Sequence, residues 1–530
     1  MCKGIGMLSW KWVWLTLGLA GFTWVIAHRD ATGQDKTNAT TPPPQEASRP
    51  ASPIASPVTP SLNAATAPTT SAPGYSLDFY GRIAPAWLDV DPPNSPPSIS
   101  FDAVEVGDVT GDGRNDVIAV QHGAHNTANY GDLFVFAQTS GGALAAGVHY
   151  PVPIDTDGSS FTALGDFNED RKQDIVVVGY KKFTMFLTKA GGGFDAVVHD
   201  IYDPVELGTE TPAAVMDVNR DGHLDLVFFM TRTHAGSSGH PTSETHSRIV
   251  VHYGDGLGGF AGRWFLKTYG NSEYDVENAV SLDTGDVSGD GWPDLVIRSR
   301  QYDFGLQSQV NQVRVFANTA QGQLVPTVSF PATMVTGVEY SAMDYIALGD
   351  FNGDGRQDIA GATGSMDERV WIKLQSSTGG FDAAPLVRTT QPIGDVVEVA
   401  DLDNSGGDDM LIGHDGWARV TYYLQSGGQP GEEQMRDIAS SDARIGASGL
   451  AIGDLNGDGC KDAAVAQGYY GVYVMRGSNC KAKRPLPKVQ VCSTQEAKPA
   501  GTSAPLAIGR APAQAMQWAW SSKANGWVAR

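Results

Sequence analysis

Seven times along this 530-residue chain an aspartate opens a nine-residue stretch that closes on another aspartate, with oxygen-bearing side chains and glycine turns between. In order the copies are DVTGDGRND (108–116), DFNEDRKQD (166–174), DVNRDGHLD (217–225), DVSGDGWPD (286–294), DFNGDGRQD (350–358), DLDNSGGDD (401–409) and DLNGDGCKD (454–462). The opening aspartates are 58, 51, 69, 64, 51 and 53 residues apart. A fixed unit of that size, repeated this often, marks a repeat architecture.

Each copy sits in a larger unit. An apolar run leads in (FTALGD, YIALGD, GLAIGD) and a β-rich run follows (VIAV, IVVV, LVFF, LVIR). A third run ends at a glycine turn (LFVFAQTSGG, IVVHYGDGLGGF, VWIKLQSSTGGF), and a fourth extended segment returns to the next loop. Short runs of β-branched and aromatic residues between turn residues read as antiparallel strands. The expected fold is therefore all-β: a seven-bladed β-propeller of four-stranded antiparallel blades, which leaves only short, protected sheet edges. The seventh unit is followed by SNCKAKRPLPK, a weak strand, whereas residues 80–108 resemble the returns between units. A strand near 82–90 is expected to complete the seventh blade and lock the ring.

The nine-residue spacing suits a hard cation. Side chains at positions 1, 3, 5 and 9 and the carbonyl at 7 converge when the backbone coils tightly, which glycine at position 6 permits. The candidate ligand positions are Asp108, Thr110, Asp112, Arg114 and Asp116; Asp166, Asn168, Asp170, Lys172 and Asp174; Asp217, Asn219, Asp221, His223 and Asp225; and Asp286, Ser288, Asp290, Trp292 and Asp294. They continue with Asp350, Asn352, Asp354, Arg356 and Asp358; Asp401, Asp403, Ser405, Gly407 and Asp409; and Asp454, Asn456, Asp458, Cys460 and Asp462. Carboxylates with amide or hydroxyl oxygens favour Ca²⁺ over transition metals, and Mg²⁺ demands a tighter octahedron. An EF-hand needs a bidentate Glu at position 12; Ala119, Val177, Phe228, Ile297, Gly361, Ile412 and Val465 stand there. Asx-rich turns alone need one Asp or Asn each, not three crowded carboxylates that repel one another. Up to seven structural Ca²⁺ ions are expected. Loops 2 and 6 are expected to be weakest: Arg171 replaces glycine in the former, and Ser405 replaces the fifth-position acid in the latter, with Asp408 as a substitute.

Three aspartates in each of the seven loops make 21 of the chain's 59 acids, and seven divalent ions would take the formal charge from −22 to −8. The acidic balance argues against nucleic acid as a partner. Residues 1–27 carry two lysines ahead of the apolar run WVWLTLGLAGFTWVIA, the pattern of an export signal or an uncleaved anchor. Residues 28–75 are rich in Pro, Thr, Ala and Ser and are expected to be a disordered stalk; the propeller is expected over 76–480, with a low-order tail over 481–530. The expected location is extracellular, cell-surface or periplasmic, with membrane contact only through an N-terminal anchor. Cys460 can bridge to Cys480 in an oxidising compartment, and Cys480–Cys492 is the rival pairing.

These units resemble FG-GAP/VCBS repeats, and the ring resembles the N-terminal propeller of integrin α subunits, over roughly residues 80–480. The Phe-Gly and Gly-Ala-Pro signatures are largely missing, which makes the bacterial VCBS variety the nearer match. The resemblance implies Ca²⁺ at the aspartate loops. Its members include adhesion and carbohydrate-binding proteins and propellers attached to enzymes.

In such a ring the metal loops occupy one face and the 2–3 and 4–1 connections the other. Tyr180, Lys182, Arg298, Arg300, Tyr302, Trp417, Arg419, Tyr469 and Tyr470 collect in the second set and suit a glycan or protein ligand. His234, His240, His246 and His252 recur every six residues, but loop composition accounts for them. No nucleophile elbow, zinc-protease motif or phosphate loop is present. The expectation is a monomeric, non-catalytic binding or adhesion module; a lyase or hydrolase acting on polysaccharide is the alternative.

Overall fold

The computed structural model describes residues 74–84, 100–122, 131–153, 161–179, 182–201, 207–208, 213–233, 245–269, 276–303, 308–319, 321–332, 343–364, 368–377, 379–382, 384–438, 445, 448–468, 471–482, 518–521 and 526–529. All of its regular elements are strands. Seven antiparallel sheets follow one another in chain order. Blade 1 runs Ser100–Gly107, Asp116–His122, Gly131–Phe136 and Val148–Val152, and blade 2 runs Phe161–Gly165, Asp174–Val178, Lys182–Thr188 and Phe194–Asp200. Blade 3 is Ala213–Met216, Asp225–Thr233, Thr245–Gly254 and Phe260–Tyr269, with Leu207–Gly208 added beside its second strand. Blade 4 is Val276–Gly285, Asp294–Asp303, Ser308–Asn318 and Leu324–Pro331; blade 5 is Tyr345–Gly349, Asp358–Ala362, Arg369–Lys373 and Leu386–Thr389. Blade 6 is Gly394–Ala400, Asp409–His414, Arg419–Tyr423 and Gln434–Asp437, and the last blade begins Leu450–Gly453, Asp462–Gln467, Gly471–Ser478. The innermost strands touch their neighbours in sequence all the way round, and blade 7 touches blade 1. The fold is a seven-bladed β-propeller.

The seventh sheet is completed from the other end of the chain. Ser76–Ile83 pairs antiparallel with Gly471–Ser478, from Ser76 opposite Ser478 to Ile83 opposite Val472, with a bulge between Phe79 and Gly81. This strand begins six residues earlier than the expected 82–90, and residues 85–90 lie outside the described set. The reason is burial: Leu77 is fully covered and Tyr75 nearly so, both in the cluster between blades 6 and 7, and they fix the register.

The core is not one mass but a series of clusters between adjacent blades, such as Val176, Phe183, Leu226 and Phe228 between blades 2 and 3. Second strands read as unbroken apolar runs (DIVVV, DMLIGH) because both of their faces are covered by neighbouring blades. His252 belongs to this core: its Nε2 lies 2.9 Å from the Ile201 carbonyl oxygen and its ring sits among Phe183, Phe228 and Phe260. Burial pushes its pKa down to about 4. His234 and His240, Cys492, the apolar run 12–27 and the stalk lie outside the described residues. Among the described residues, no helix is long and apolar enough to cross a membrane.

Candidate functional site

All seven aspartate loops join the first strand of a blade to the second. Each turns twice through left-handed backbone, at positions 4 and 6, with φ between 57° and 96° at the fourteen residues concerned. Loop 2 keeps this conformation although Arg171 stands at its sixth position, with φ 69°, where a β-carbon is disfavoured. An apolar side chain at position 2 (Val109, Phe167, Val218, Val287, Phe351, Leu402, Leu455) is buried in every case and plugs the loop into the core.

The first-position aspartate organises the turn. Asp108 Oδ1 accepts from the Gly111 and Asp112 amides at 2.7 and 2.9 Å, and Oδ2 accepts from Gly113 at 2.7 Å. Asp286 and Asp350 repeat the arrangement. The ninth-position aspartate clips the loop to the end of the third strand. Its Oδ1 accepts a backbone amide there in all seven blades: Gln138 on Asp116, Thr188 on Asp174, Gly254 on Asp225, Asn318 on Asp294, Gln375 on Asp358, Gln425 on Asp409 and Gly477 on Asp462, at 2.6–3.0 Å. Its other oxygen accepts from the loop's own second or third amide, for instance Val218 on Asp225 at 2.8 Å and Ser288 on Asp294 at 2.7 Å. All seven ninth-position aspartates are fully buried. Burial pushes their carboxyls up, to about 6 at Asp174 and Asp294, about 7 at Asp225, Asp358 and Asp462, and about 8 at Asp409. Neighbouring loop carboxylates add to the rise and the amide donors oppose it.

Fifth-position acids have partners of another kind. Arg114 pairs with Asp112, Arg356 with Asp354, and Lys172 Nζ lies 2.5 Å from Asp170. Each of these cations comes from position 7 of the same loop. Loop 6 has neither group, since Ser405 and Gly407 occupy those positions. It has instead the one third-position acid, Asp403, where the others carry Asn, Ser or Thr. Carboxylate oxygens of Asp401, Asp403 and Asp409 lie within 4.8 Å of one another, the one such triple of His, Cys, Asp or Glu among the described residues. Ligands on opposite sides of a Ca²⁺ ion, each about 2.4 Å away, stand about 4.8 Å apart, so the triple can share one ion. Asp401 Oδ1 is buried there with no hydrogen-bond partner. The donor set and its orphaned oxygen fit a hard divalent cation. Loop 6, expected to be among the weakest, is the loop where carboxylates converge. Asp408, the expected substitute, has its Oδ2 accepting the Asp350 amide of the preceding blade at 2.8 Å.

Residues 108–177, 166–228 and 350–412 match the family model of an FG-GAP-like repeat, and 278–316 match that of an FG-GAP repeat. This is an FG-GAP repeat propeller. Integrin alpha-PS2 of Drosophila melanogaster is 30% identical to it over 164 residues, 25% of this chain and 11% of the integrin. The FG-GAP chain thus spans about a tenth of the length of that curated relative. Among solved structures, an Agrocybe aegerita lectin specific for non-reducing terminal N-acetylglucosamine aligns with a TM-score of 0.42 and 16% identity, over 63% of this chain and 80% of the lectin. A rhamnogalacturonan lyase from Bacillus licheniformis aligns with a TM-score of 0.39 and 12% identity, over 78% and 77% of the two chains.

The FG-GAP loops are stitched to one another around the ring. Gln138 donates to the Asp454 carbonyl, Thr188 to Val109, Asn318 to Asp217 and Gln375 to Val287, each reaching from one blade to the loop of the blade before. His223 meets Glu169 between loops 3 and 2, and Arg220 reaches Asp290 at 3.0 Å between loops 3 and 4 while stacking on Trp292. Asp408 joins loops 6 and 5, and Asn404 donates to the Gly459 carbonyl across the last seam at 3.0 Å. Sequence reasoning missed these pegs, since a Gln or Asn at a strand end carries no local signal of its partner.

It also missed three acids on the innermost strands. Counted three residues before each loop, the seven blades carry Glu105, Ala163, Ala214, Asp283, Ala347, Glu398 and Ala451. Burial pushes Glu105 up to about 8, Asp283 to about 6, and Glu398 well above the usual carboxylate range, where Glu105 and Asp283 add to the rise. That register was readable in the repeats.

On the opposite face the expected ligand patch divides. Arg298 is not part of it: the side chain is fully buried, donating to the Met343 and Ser299 carbonyls and lying 2.5 Å from Asp344. A guanidinium with three acceptors inside a blade seam is a structural group. Arg300 is exposed, 3.8 Å from the same aspartate, and Trp417 is exposed on the blade 6 turn. Lys182 pairs with Asp200 at 2.6 Å, and Arg419 with Asp437 at 2.7 Å. Tyr302 belongs to the second strand of blade 4, opposite Val276 and Gln309; Tyr180, Tyr469 and Tyr470 lie outside the described residues.

Proposed function

We propose that this FG-GAP propeller is an exported or surface-displayed Ca²⁺-stabilised module that binds a glycan or a protein. The likeness to an integrin α segment supports an extracellular or surface role and a binding function. The observation that carries the calcium reading is the convergence of Asp401, Asp403 and Asp409 around a buried, unpartnered oxygen. In every loop the first, third, fifth and ninth side chains and the seventh carbonyl would hold the ion. A bound divalent ion supplies positive charge where three acids crowd, and its role is structural. The protein's own part is done by amides, which pre-form each turn and hold the carboxylates in place. Because both oxygens of the ninth-position aspartate are committed to amides, these acids are poorly suited to proton transfer, which supports a non-catalytic reading.

The ligand would meet the face away from the loops, where Trp417 and Arg300 stand exposed. Melting curves in millimolar Ca²⁺ and in EDTA test the first half of the proposal. EDTA is expected to lower Tm by about 10 °C or more, and coincident curves would remove calcium from the account. A glycan array run with Ca²⁺, on the wild type and on the Trp417→Ala, Arg300→Ala double variant, tests the second half. Binding that survives the double substitution unchanged rules out this face.

A further inference from the structure

The end of the last blade carries a cation to loop 6. After the strand Gly471–Ser478, Asn479 turns the chain through left-handed backbone, φ 58°. Cys480 is then joined to Cys460, the seventh residue of loop 7, by a disulfide. Lys481, next in the chain, leaves its own blade and lies on blade 6. Its amide donates to the Asp403 carbonyl at 2.8 Å, its carbonyl accepts from Asn404 Nδ2 at 3.1 Å, and its Nζ lies 3.2 Å from Asp403 Oδ2. Asp403 is the third-position acid of the converging triple. In loops 1, 2 and 5 the cation facing a loop acid comes from position 7 of that same loop; loop 6 has glycine there and receives its cation from a neighbour.

We propose that Lys481, held in place by the adjoining Cys460–Cys480 disulfide, is a tethered cation that competes with a divalent ion for the loop 6 carboxylates, so that metal binding at this one loop answers to thiol–disulfide exchange. The proposal rests on the calcium reading of the loops given above. The ammonium neutralises Asp403 when no ion is present and must leave when one enters. It can leave because its side chain is 64% exposed, whereas Asp403 is 13% exposed and stays. The backbone contacts of Lys481 hold the ammonium near the site, and the disulfide holds that backbone. A dithiol reductant exchanges its own disulfide for this one: two electrons and two protons pass to the protein, the S–S bond breaks, and Cys460 and Cys480 become thiols. The segment then loses its covalent tie to loop 7 and the effective concentration of the ammonium at Asp403 falls.

The test is calorimetric Ca²⁺ titration of the full chain in four forms: wild type, Lys481→Ala, Cys460→Ser with Cys480→Ser, and Lys481→Ala with Asp403→Asn. Lys481→Ala is expected to tighten one site by about twofold to fivefold, since a single competing surface charge is worth up to about a factor of five. Removing both cysteines, or reducing the wild type with dithiothreitol, is expected to tighten the same site. Adding Asp403→Asn is expected to abolish that site while the others remain. Lys481→Ala is a surface change that leaves the disulfide and the core intact, so it reads the proposal even if the cysteine variant folds poorly. Ca²⁺ binding with no site tightened, or with one weakened, overturns the proposal and leaves the calcium reading standing. No heat of Ca²⁺ binding in any form removes both.

Discussion

Along the loop face the same nine-residue turn, the same buried second-position plug and the same clip from the ninth aspartate to the third strand occur in every blade. On the opposite face the blades differ. The second strand of every blade starts at the ninth-position aspartate, so any extra length emerges on the far side. In blades 3 and 4 the second and third strands are 9 to 11 residues long, against 5 to 8 in the other five. The difference separates two jobs. A repeated face holds the ring together at its loops, and an irregular one is raised at blades 3 and 4.

That contrast breaks first at the clip. Asp358→Ala removes the acceptors for Gln375 and Phe351 in the interior of blade 5 and leaves two buried amides unpaired. A loss on the order of 3 kcal/mol is expected in chemical unfolding, with the transition measured in EDTA so that no metal contributes. On the other face Arg300→Ala is expected to stay within about 0.5 kcal/mol, as exposed charges do. Equal costs at the two sites would show that the clip is redundant and the faces are not divided as described.

These sites also mark what could be read in advance. Seven loops at near-regular spacing, flanked by runs of β-branched residues, specify blades, their number and their strand order, because period and turn chemistry are local properties. The closing strand was legible as a need but not as a register, since Leu77 and Tyr75 find their place only against blade 6. Arg298 and Arg300 look alike in RSRQYDF. Asp344, from the next blade, draws the first into the seam and leaves the second outside, a tertiary effect that no alternation encodes. The convergence in loop 6 was not legible, because counting acids at fixed positions does not place Asp403 beside Asp401 and Asp409. The repulsion expected among loop acids is also offset in part by backbone amides and by Arg114, Lys172 and Arg356.

A smaller effect sits on the axis, where the two faces meet. Glu105 titrates near 8 in the folded protein against about 4.5 when unfolded, because burial disfavours its charge. A raised folded pKa means the native state holds its proton longer. The contribution is fully present below about 4.5 and is lost as pH climbs through 8. In EDTA, where the loops take no ion, stability is therefore expected to fall across that window. Glu105→Gln, which keeps the neutral shape, is expected to recover stability at pH 8 and almost none at pH 4.5, read from unfolding midpoints at the two values. A variant equally shifted at both would mean that packing, not charge, separates it from the wild type.

The finest test asks whether the seven loops are equivalent in backbone as well as in hydrogen bonding. Arg171 adopts φ 69° where six other loops have glycine. A side chain in that conformation costs about 1 kcal/mol, and part of the gain from removing it is returned through the greater freedom of glycine in the unfolded chain. Arg171→Gly is thus expected to stabilise the protein by about 0.5 kcal/mol, and to bring loop 2 toward the metal affinity of its neighbours. The direction matters more than the size, because most substitutions destabilise. A loss of stability would mean that Arg171 makes a contact worth more than its strain, and loop 2 would then be a deliberate departure from the repeat rather than a worn copy of it.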